Sequence, residues 1–212
     1  MAIEDEILAA LDPDQRAVAL ASRGPVCVIA GAGTGKTRAI THRIAYAAAI
    51  GTMDPQKVLA LTFTAKAAGE MRARLRSLGV PTVAARTIHS AALKQLLYFW
   101  PSVFGGRTPD LMTTKTGFLT EAINRAGLSD SVRATNRELM RDIASEIEWA
   151  KVSQVAPSDY VDEISKRMQK PRVLPEQMVQ IYTAYESIKK QELAIDFEDV
   201  LLLCAAILEE ER

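Results

Sequence analysis

The chain has 212 residues, of which 48% are hydrophobic and 25% charged, and its 26 basic and 26 acidic side chains cancel. That length supports one sizeable core or two modest ones and points to a soluble globular protein. The longest apolar run, Val200 to Leu208, falls far short of the about 20 residues that cross a bilayer, which excludes a helical membrane protein.

The acidic start, Ile3-Glu4-Asp5-Glu6, lacks a signal-peptide core, so cytoplasmic residence is expected. Next, Leu11-Asp12-Pro13-Asp14-Gln15 reads as a helix start with Asp12 as N-cap and Pro13 at the first helical position. This helix is expected to run to about Ser22. The apolar run Pro25-Val26-Cys27-Val28-Ile29 then reads as a buried strand. Cys27 and Cys204, both inside apolar runs, are expected to be core residues of a reduced compartment; neither spacing suits zinc or a disulfide framework.

Directly behind that run stands Ala30-Gly31-Ala32-Gly33-Thr34-Gly35-Lys36-Thr37. A strand, a glycine turn and a helix in succession form a phosphate-binding loop, here with Ala30 in place of the first glycine of the strict pattern. Gly31, Gly33 and Gly35 are expected to use backbone conformations closed to residues with a Cβ, which lets successive amides converge on one anion. The helix opening at about Lys36 adds unpaired amides and the positive end of its dipole. Lys36 is then expected to reach the β- and γ-phosphates of a nucleotide and Thr37 to ligate Mg²⁺.

Downstream, a helix over Lys36 to Ile50 is followed by a strand over Lys57 to Phe63. Thr64 is positioned to cap a helix from Ala65 to about Leu78, and a third strand, Thr82 to Thr87, leads into a helix over Ile88 to Trp100. Short alternation of strands and helices indicates an α/β fold with a parallel sheet. From Pro101 no strand-like alternation reappears. Helices are expected over Lys115 to Arg125, Asn136 to Lys151, Ser158 to Met168 and Pro175 to Leu193, and a last one follows Asp196, a possible cap. The simplest organisation is an α/β unit over residues 1–100, a helical unit over 101–190 and a final helix, 191–212, returning to the first unit.

Charge is unevenly spread. Residues 1–35 carry two basic and five acidic side chains, residues 36–107 eleven and two, and the remainder thirteen and nineteen. The basic block begins at the phosphate loop and suits a polyanion across one face, although solvated helix faces account for any single arginine in it.

Three clusters accompany the loop. Gln15 offers a donor and an acceptor that suit adenine N6 and N7, and Arg38 is placed to lie against the adenine plane; a solvated glutamine and a surface arginine are the plainer alternatives. At the C-terminal edge of the second strand, Phe63 is placed to stack on a base while Thr64 and Lys66 take phosphates. Core packing competes for Phe63. At the matching edge of the third strand, His89 and Ser90 are placed to donate to a DNA phosphate or sugar. The sequence around His89 makes no case for acid–base catalysis.

In their order, L-D-P-D-Q, A-G-A-G-T-G-K-T, L-T-F-T-A-K-A-A-G-E-M and R-T-I-H-S resemble the Q motif and motifs I, Ia and Ib of the UvrD/Rep-like superfamily 1 DNA helicases. The segment I-D-F-E-D-V-L-L-L is similar to the one just ahead of the family's Walker B motif, so the resemblance covers the whole chain. Within the family it looks most like the second UvrD type of actinobacteria. Ala65 and Ile88 depart from the family's usual polar residue and phenylalanine.

The resemblance implies a RecA-like core with a helical 1B insertion, ATP and Mg²⁺ as cofactors, and 3′ to 5′ stepping along single-stranded DNA toward single-strand/duplex junctions. By the same resemblance Gln15 and Arg38 recognise adenine, residues Ala30 to Thr37 hold the phosphates and Mg²⁺, and Phe63, Thr64, Lys66, His89 and Ser90 face DNA. An apolar strand ending in Asp-Glu, needed for metal binding and water activation, does not occur. Ala205 to Glu210 continues a helical pattern, with Glu209 and Glu210 read as solvated. A helicase fragment lacking the second motor core, inactive alone, is therefore the expectation. A stand-alone ATP-dependent DNA-binding or regulatory module and a small-molecule P-loop kinase are the other classes open on the residues.

Overall fold

The computed structural model describes residues 3–128, 137–168 and 171–210. It is a mixed α/β chain, mostly helical, in two compact units, Met1–Ala91 and Ala92–Arg212. The sequence expectation puts the change of character at Pro101, whereas the units divide inside a helix.

In the first unit, α1 (Ile3–Ala9), an element without a sequence signal of its own, precedes α2 (Pro13–Leu20). Asp12 caps α2 by accepting the Gln15 amide at 2.8 Å, and Pro13 occupies its first turn. After the glycine loop come α3 (Lys36–Ala49), β1 (Leu59–Thr62), α4 (Ala65–Ser77) and β2 (Ala84–Thr87). Thr64 caps α4 through the Ala67 amide at 3.2 Å. β1 and β2 pair in parallel from Leu59 with Ala84 to Thr62 with Thr87, so both strands end at one edge. Ile7, Ile44, Ala45, Met71, Leu75 and Val83 join β1 and β2 in one core.

The expected strand over Pro25 to Ile29 does not form: residues 25–30 carry no regular structure. A strand is held by its ladder, and among the described residues of this unit β1 and β2 pair as strands only with each other. Ile29 is consequently 96% exposed. Cys27, expected in the core, is exposed for the same reason, while Cys204 is buried. The parallel pairing is thus a two-stranded ladder and not a full sheet.

The helix after β2, α5 (Ile88–Val103), runs through Pro101 and crosses from one unit into the other. In the second unit it is followed by β3 (Asp110–Leu111), α6 (Thr116–Arg125), α7 (Arg137–Val152), α8 (Tyr160–Ser165), α9 (Pro175–Gln191), β4 (Ala194–Ile195) and α10 (Phe197–Glu210). Asn136, the expected start of α7, lies outside the described residues. β3 and β4 form a short parallel ladder, a pairing of two-residue strands too brief to leave a periodic signal. Helices α6 to α9 enclose Ile123, Ile143, Ile147, Tyr160, Met178 and Tyr185. α10 packs Val200 and Ile207 against Leu96 of α5 and Ile195 of β4, so the final helix belongs with the α5 residues beyond Ala91. Among the described residues no helix is long and apolar enough to cross a membrane.

Candidate nucleotide and nucleic-acid sites

Between residue 30 and α3 the chain turns through two left-handed glycines, Gly33 at φ +79° and Gly35 at φ +83°. An L side chain is strained there, which explains both glycines. Gly31 does not share that conformation, contrary to expectation; a Cβ on it would meet only the Thr34 methyl at 3.7 Å. Gly35 is the N-cap of α3 and offers no side chain to its first amides. The helix therefore presents uncapped N–H groups and its positive end where the loop closes, an arrangement that favours an anion.

The loop is braced by its own side chains. Lys36 Nζ donates to the carbonyls of Ala30, at 3.0 Å, and Gly31, and Thr34 Oγ1 donates to Gly31 at 2.9 Å. The Lys36 ammonium is thus folded over the loop and exposed, its charge beside the uncapped amides. Thr37, also exposed, makes no side-chain hydrogen bond among the described residues, so its hydroxyl is available to a hard cation. Ala32 is exposed at the tip of the turn.

Above the loop lies a cavity of about 720 Å³, lined by Asp12, Gln15, Val18, Cys27, Ile29 and Lys36 among others. That volume is in the range of small-molecule and cofactor sites. Gln15 Nε2 donates to the Thr34 carbonyl at 3.2 Å, which brings α2 and the loop together. Arg38 is turned elsewhere: its guanidinium donates to the Ala10 carbonyl at 2.6 Å and it does not line the cavity. Sequence reasoning missed His42, one turn further along α3. It is buried, and its Nδ1 lies 2.7 Å from the Ile7 carbonyl. Burial lowers its basicity, the Ile7 carbonyl opposes that, and the charges of Arg38 and Arg74 add to the lowering.

At the common edge of β1 and β2, Phe63 is 92% exposed, so core packing does not hold it. Thr64 and Lys66 stand exposed beside it at the start of α4, and Thr62 donates to the Thr64 carbonyl at 3.1 Å, fixing the turn. The parallel register sets His89 and Ser90, in the first turn of α5, at the neighbouring strand end. Ser90 is tied to Thr87 twice: its amide donates to Thr87 Oγ1 and its hydroxyl to the Thr87 carbonyl, both at 3.1 Å. An exposed aromatic ring flanked by a helix N-terminus and basic side chains can stack a base and take phosphates.

The second unit holds a different constellation. Asp196 and Asp199 exchange backbone bonds across the start of α10, each carboxylate accepting the other's amide at 3.0 Å, a reciprocal cap. Lys151 from α7 and Lys189 from α9 both reach this pair. Glu186, Asp196 and Asp199 are close enough to share a cation, but the two ammoniums already occupy that position.

The profile of the UvrD/REP helicase N-terminal domain matches residues 11–212. A Mycobacterium bovis protein named ATP-dependent DNA helicase UvrD2 is 44% identical over 97% of this chain, and the aligned part is 30% of that protein. The ATP-dependent DNA helicase PcrA of Leuconostoc citreum is 31% identical over 86% of the chain and 24% of its own length. DNA helicase II of Haemophilus influenzae is 40% identical over 47% of the chain and 12% of its own. The chain therefore spans about a third or less of the length of these relatives. With the family profile covering it from Leu11 onward, the chain belongs to the UvrD/REP helicase N-terminal domain family.

Proposed function

We propose that this chain is the ATP-binding and single-stranded-DNA-binding N-terminal part of an ATP-dependent 3′ to 5′ DNA helicase acting in the cytoplasm in DNA repair or replication. The observation that carries the reading is the loop itself: two left-handed glycines deliver the uncapped N-terminus of α3 and the Lys36 ammonium to the floor of a cavity of about 720 Å³. Residues Ala30 to Thr37 would hold the phosphates, Thr37 would ligate Mg²⁺, and Gln15 would meet the adenine edge. Bound Mg²⁺ would neutralise phosphate charge. Phe63, Thr64, Lys66, His89 and Ser90 would face single-stranded DNA.

In this reading the first unit is the N-terminal portion of a RecA-like core. The helical unit corresponds to the 1B insertion, which meets duplex at a single-strand/duplex junction. The remaining motor domains are supplied by sequence outside this chain. Among the described residues no strand carries an Asp-Glu pair at its end, so residues 1–212 alone should show negligible steady-state hydrolysis.

Titration of residues 1–212 with a fluorescent ATP analogue, with and without Mg²⁺, tests the assignment. Binding that Mg²⁺ strengthens and Lys36→Ala abolishes is expected. Absence of binding by the folded wild-type chain overturns it, and DNA-stimulated turnover lost in Lys36→Ala overturns the inactivity. Binding of labelled single-stranded DNA should weaken as salt rises, because phosphate contacts release counterions.

A further inference from the structure

The β1–β2 ladder has two edges, and Phe63 and the start of α4 lie at the one formed by the C-terminal strand ends. Helix α4 must run back between two parallel strands, so its last turn lies at the opposite edge with the segments that lead into β1 and β2. The two edges are separated by the length of the strands, about 10 Å. At this second edge a groove of about 460 Å³ opens between α1, the C-terminal half of α3 and the end of α4. It is lined by Ile3 and Ile7 of α1, Ala45 and Ala48 of α3, and Leu78 and Val80 after α4; Glu4 is the one charged residue among the described residues that line it. The groove stays open because its α3 wall is built of alanines. Ile3 and Ile50 continue the apolar surface, 70% and 38% exposed. An open apolar hollow of this size has the character of a binding surface.

Three cations share that edge. Lys57 stands two residues ahead of β1, and Arg74 and Arg76 are in the last turn of α4. All three are exposed, and among the described residues none makes a side-chain hydrogen bond or an ion pair. Arg74 lies one turn before Leu78, and its charge reaches His42, which places it beside α3. The C-terminal dipole of α4, worth about half a charge, offsets only part of the three.

The chain itself shows what kind of segment fits here. α1 is a seven-residue helix, Ile-Glu-Asp-Glu-Ile-Leu-Ala, whose Ile7 and Leu8 are each 5% exposed while Asp5 and Glu6 face solvent. Ile7 joins Ile44 and Ala45 of α3 in the core. Helix α3 thus already takes one short acidic amphipathic helix, and the groove runs alongside it with the free cations at its edge. We propose that this groove docks a second acidic amphipathic helix, supplied by a partner protein. Its apolar side chains enter between α1 and the end of α4, and its carboxylates meet Lys57, Arg74 and Arg76, a helix-in-groove mode of recognition. The proposal is independent of the nucleotide reading. Because Phe63 lies at the other edge, a docked partner leaves the nucleic-acid face open.

The experiment follows binding of residues 1–212 to a fluorescein-labelled peptide by fluorescence anisotropy. The peptide is the Ile3–Ala9 sequence written twice, since a seven-residue repeat keeps the apolar positions on one helix face. Saturable binding that weakens as salt rises is expected. A control peptide with lysine in place of every acid should bind about tenfold more weakly. Ala49→Phe, which fills the groove from an exposed position at the end of α3, should weaken the acidic peptide by about tenfold or more. Arg76→Glu should weaken it by about threefold, and it keeps the proposal testable where Ala49→Phe does not fold. Thermal unfolding establishes that each variant is folded.

Equal binding of the two peptides overturns the proposal, as does a folded wild-type chain that shows no saturable binding up to about 1 mM peptide. Binding that folded Ala49→Phe leaves unchanged means that the peptide takes the seat of α1 itself, which also overturns it. Self-association of the chain that Ala49→Phe abolishes would make a second copy the occupant in place of a partner. Loss of peptide binding on saturation with single-stranded DNA would move the peptide to the Phe63 edge and remove the groove from the account.

Discussion

The Lys151 ammonium lies 2.7 Å from both carboxylate oxygens of Asp196, with the two side chains 3% and 1% exposed. The same carboxylate accepts the Tyr185 hydroxyl at 3.1 Å and Lys189 at 3.2 Å, so one acid joins α7, α9 and the start of α10. Burial opposes ionisation of Asp196, yet the Lys151 and Lys189 charges and the Asp199 amide hold its carboxyl well below the usual carboxylate range. Removing that acid leaves two buried ammoniums short of a partner. Asp196→Ala should therefore cost about 3–5 kcal/mol, measured by urea unfolding of residues 1–212; a loss within 1 kcal/mol would mean that the cluster behaves like a surface ion pair.

Acid should act on the two units at different pH values. His42 is held below its ordinary value of 6.5, so above that pH it is neutral in both folded and unfolded chains. Below it, the unfolded chain takes up a proton that the folded chain resists, and stability falls as pH falls. Asp196, also lowered, contributes stability that is intact above its ordinary 3.8 and is lost only below it. Amide exchange followed from pH 7.5 downward should show α1 and α3 losing protection first, below about pH 6.5, while α7, α9 and α10 hold. Simultaneous loss in both units, or protection of α1 that is flat through this window, would contradict the assignment.

Gly35→Ala tests the loop. The substitution forces an L residue to φ +83° and sets its Cβ 2.5 Å from Gln15 Nε2. A cost of about 1–2 kcal/mol in stability is expected, with ATP binding weakened further because Gln15 must give way. Gly31→Ala, where neither strain nor collision occurs, should be nearly neutral in thermal unfolding.

Phe63→Ala should separate DNA binding from folding. A ring 92% exposed contributes little to the core, so the unfolding midpoint should stay in place. Affinity for single-stranded DNA should fall by about 1–3 kcal/mol if the ring stacks a base. An unchanged affinity measured by fluorescence anisotropy would remove Phe63 from the interface.

Local chemistry made much of the first unit legible in the residue string. Asp12 with Pro13, and Thr64 ahead of Ala65, are caps whose function is decided within a few residues, and both helices start where those signals stand. The spacing of Gly33, Gly35 and Lys36 likewise determined a left-handed glycine turn into an uncapped helix start, because backbone strain and helix-end amides are local properties. What tertiary structure decided was every role that depends on a distant partner. Pro25 to Ile29 is apolar enough for a buried strand but finds no ladder among the described residues, so Ile29 and Cys27 are exposed. Arg38 follows the loop in sequence yet is held by Ala10, 28 residues away, and His42 carries no local signal at all of its bond to Ile7. The Lys151–Asp196 pair spans 45 positions. Periodicity and capping are encoded within one turn of chain; the partner of a side chain is set only when packing brings remote backbone to it.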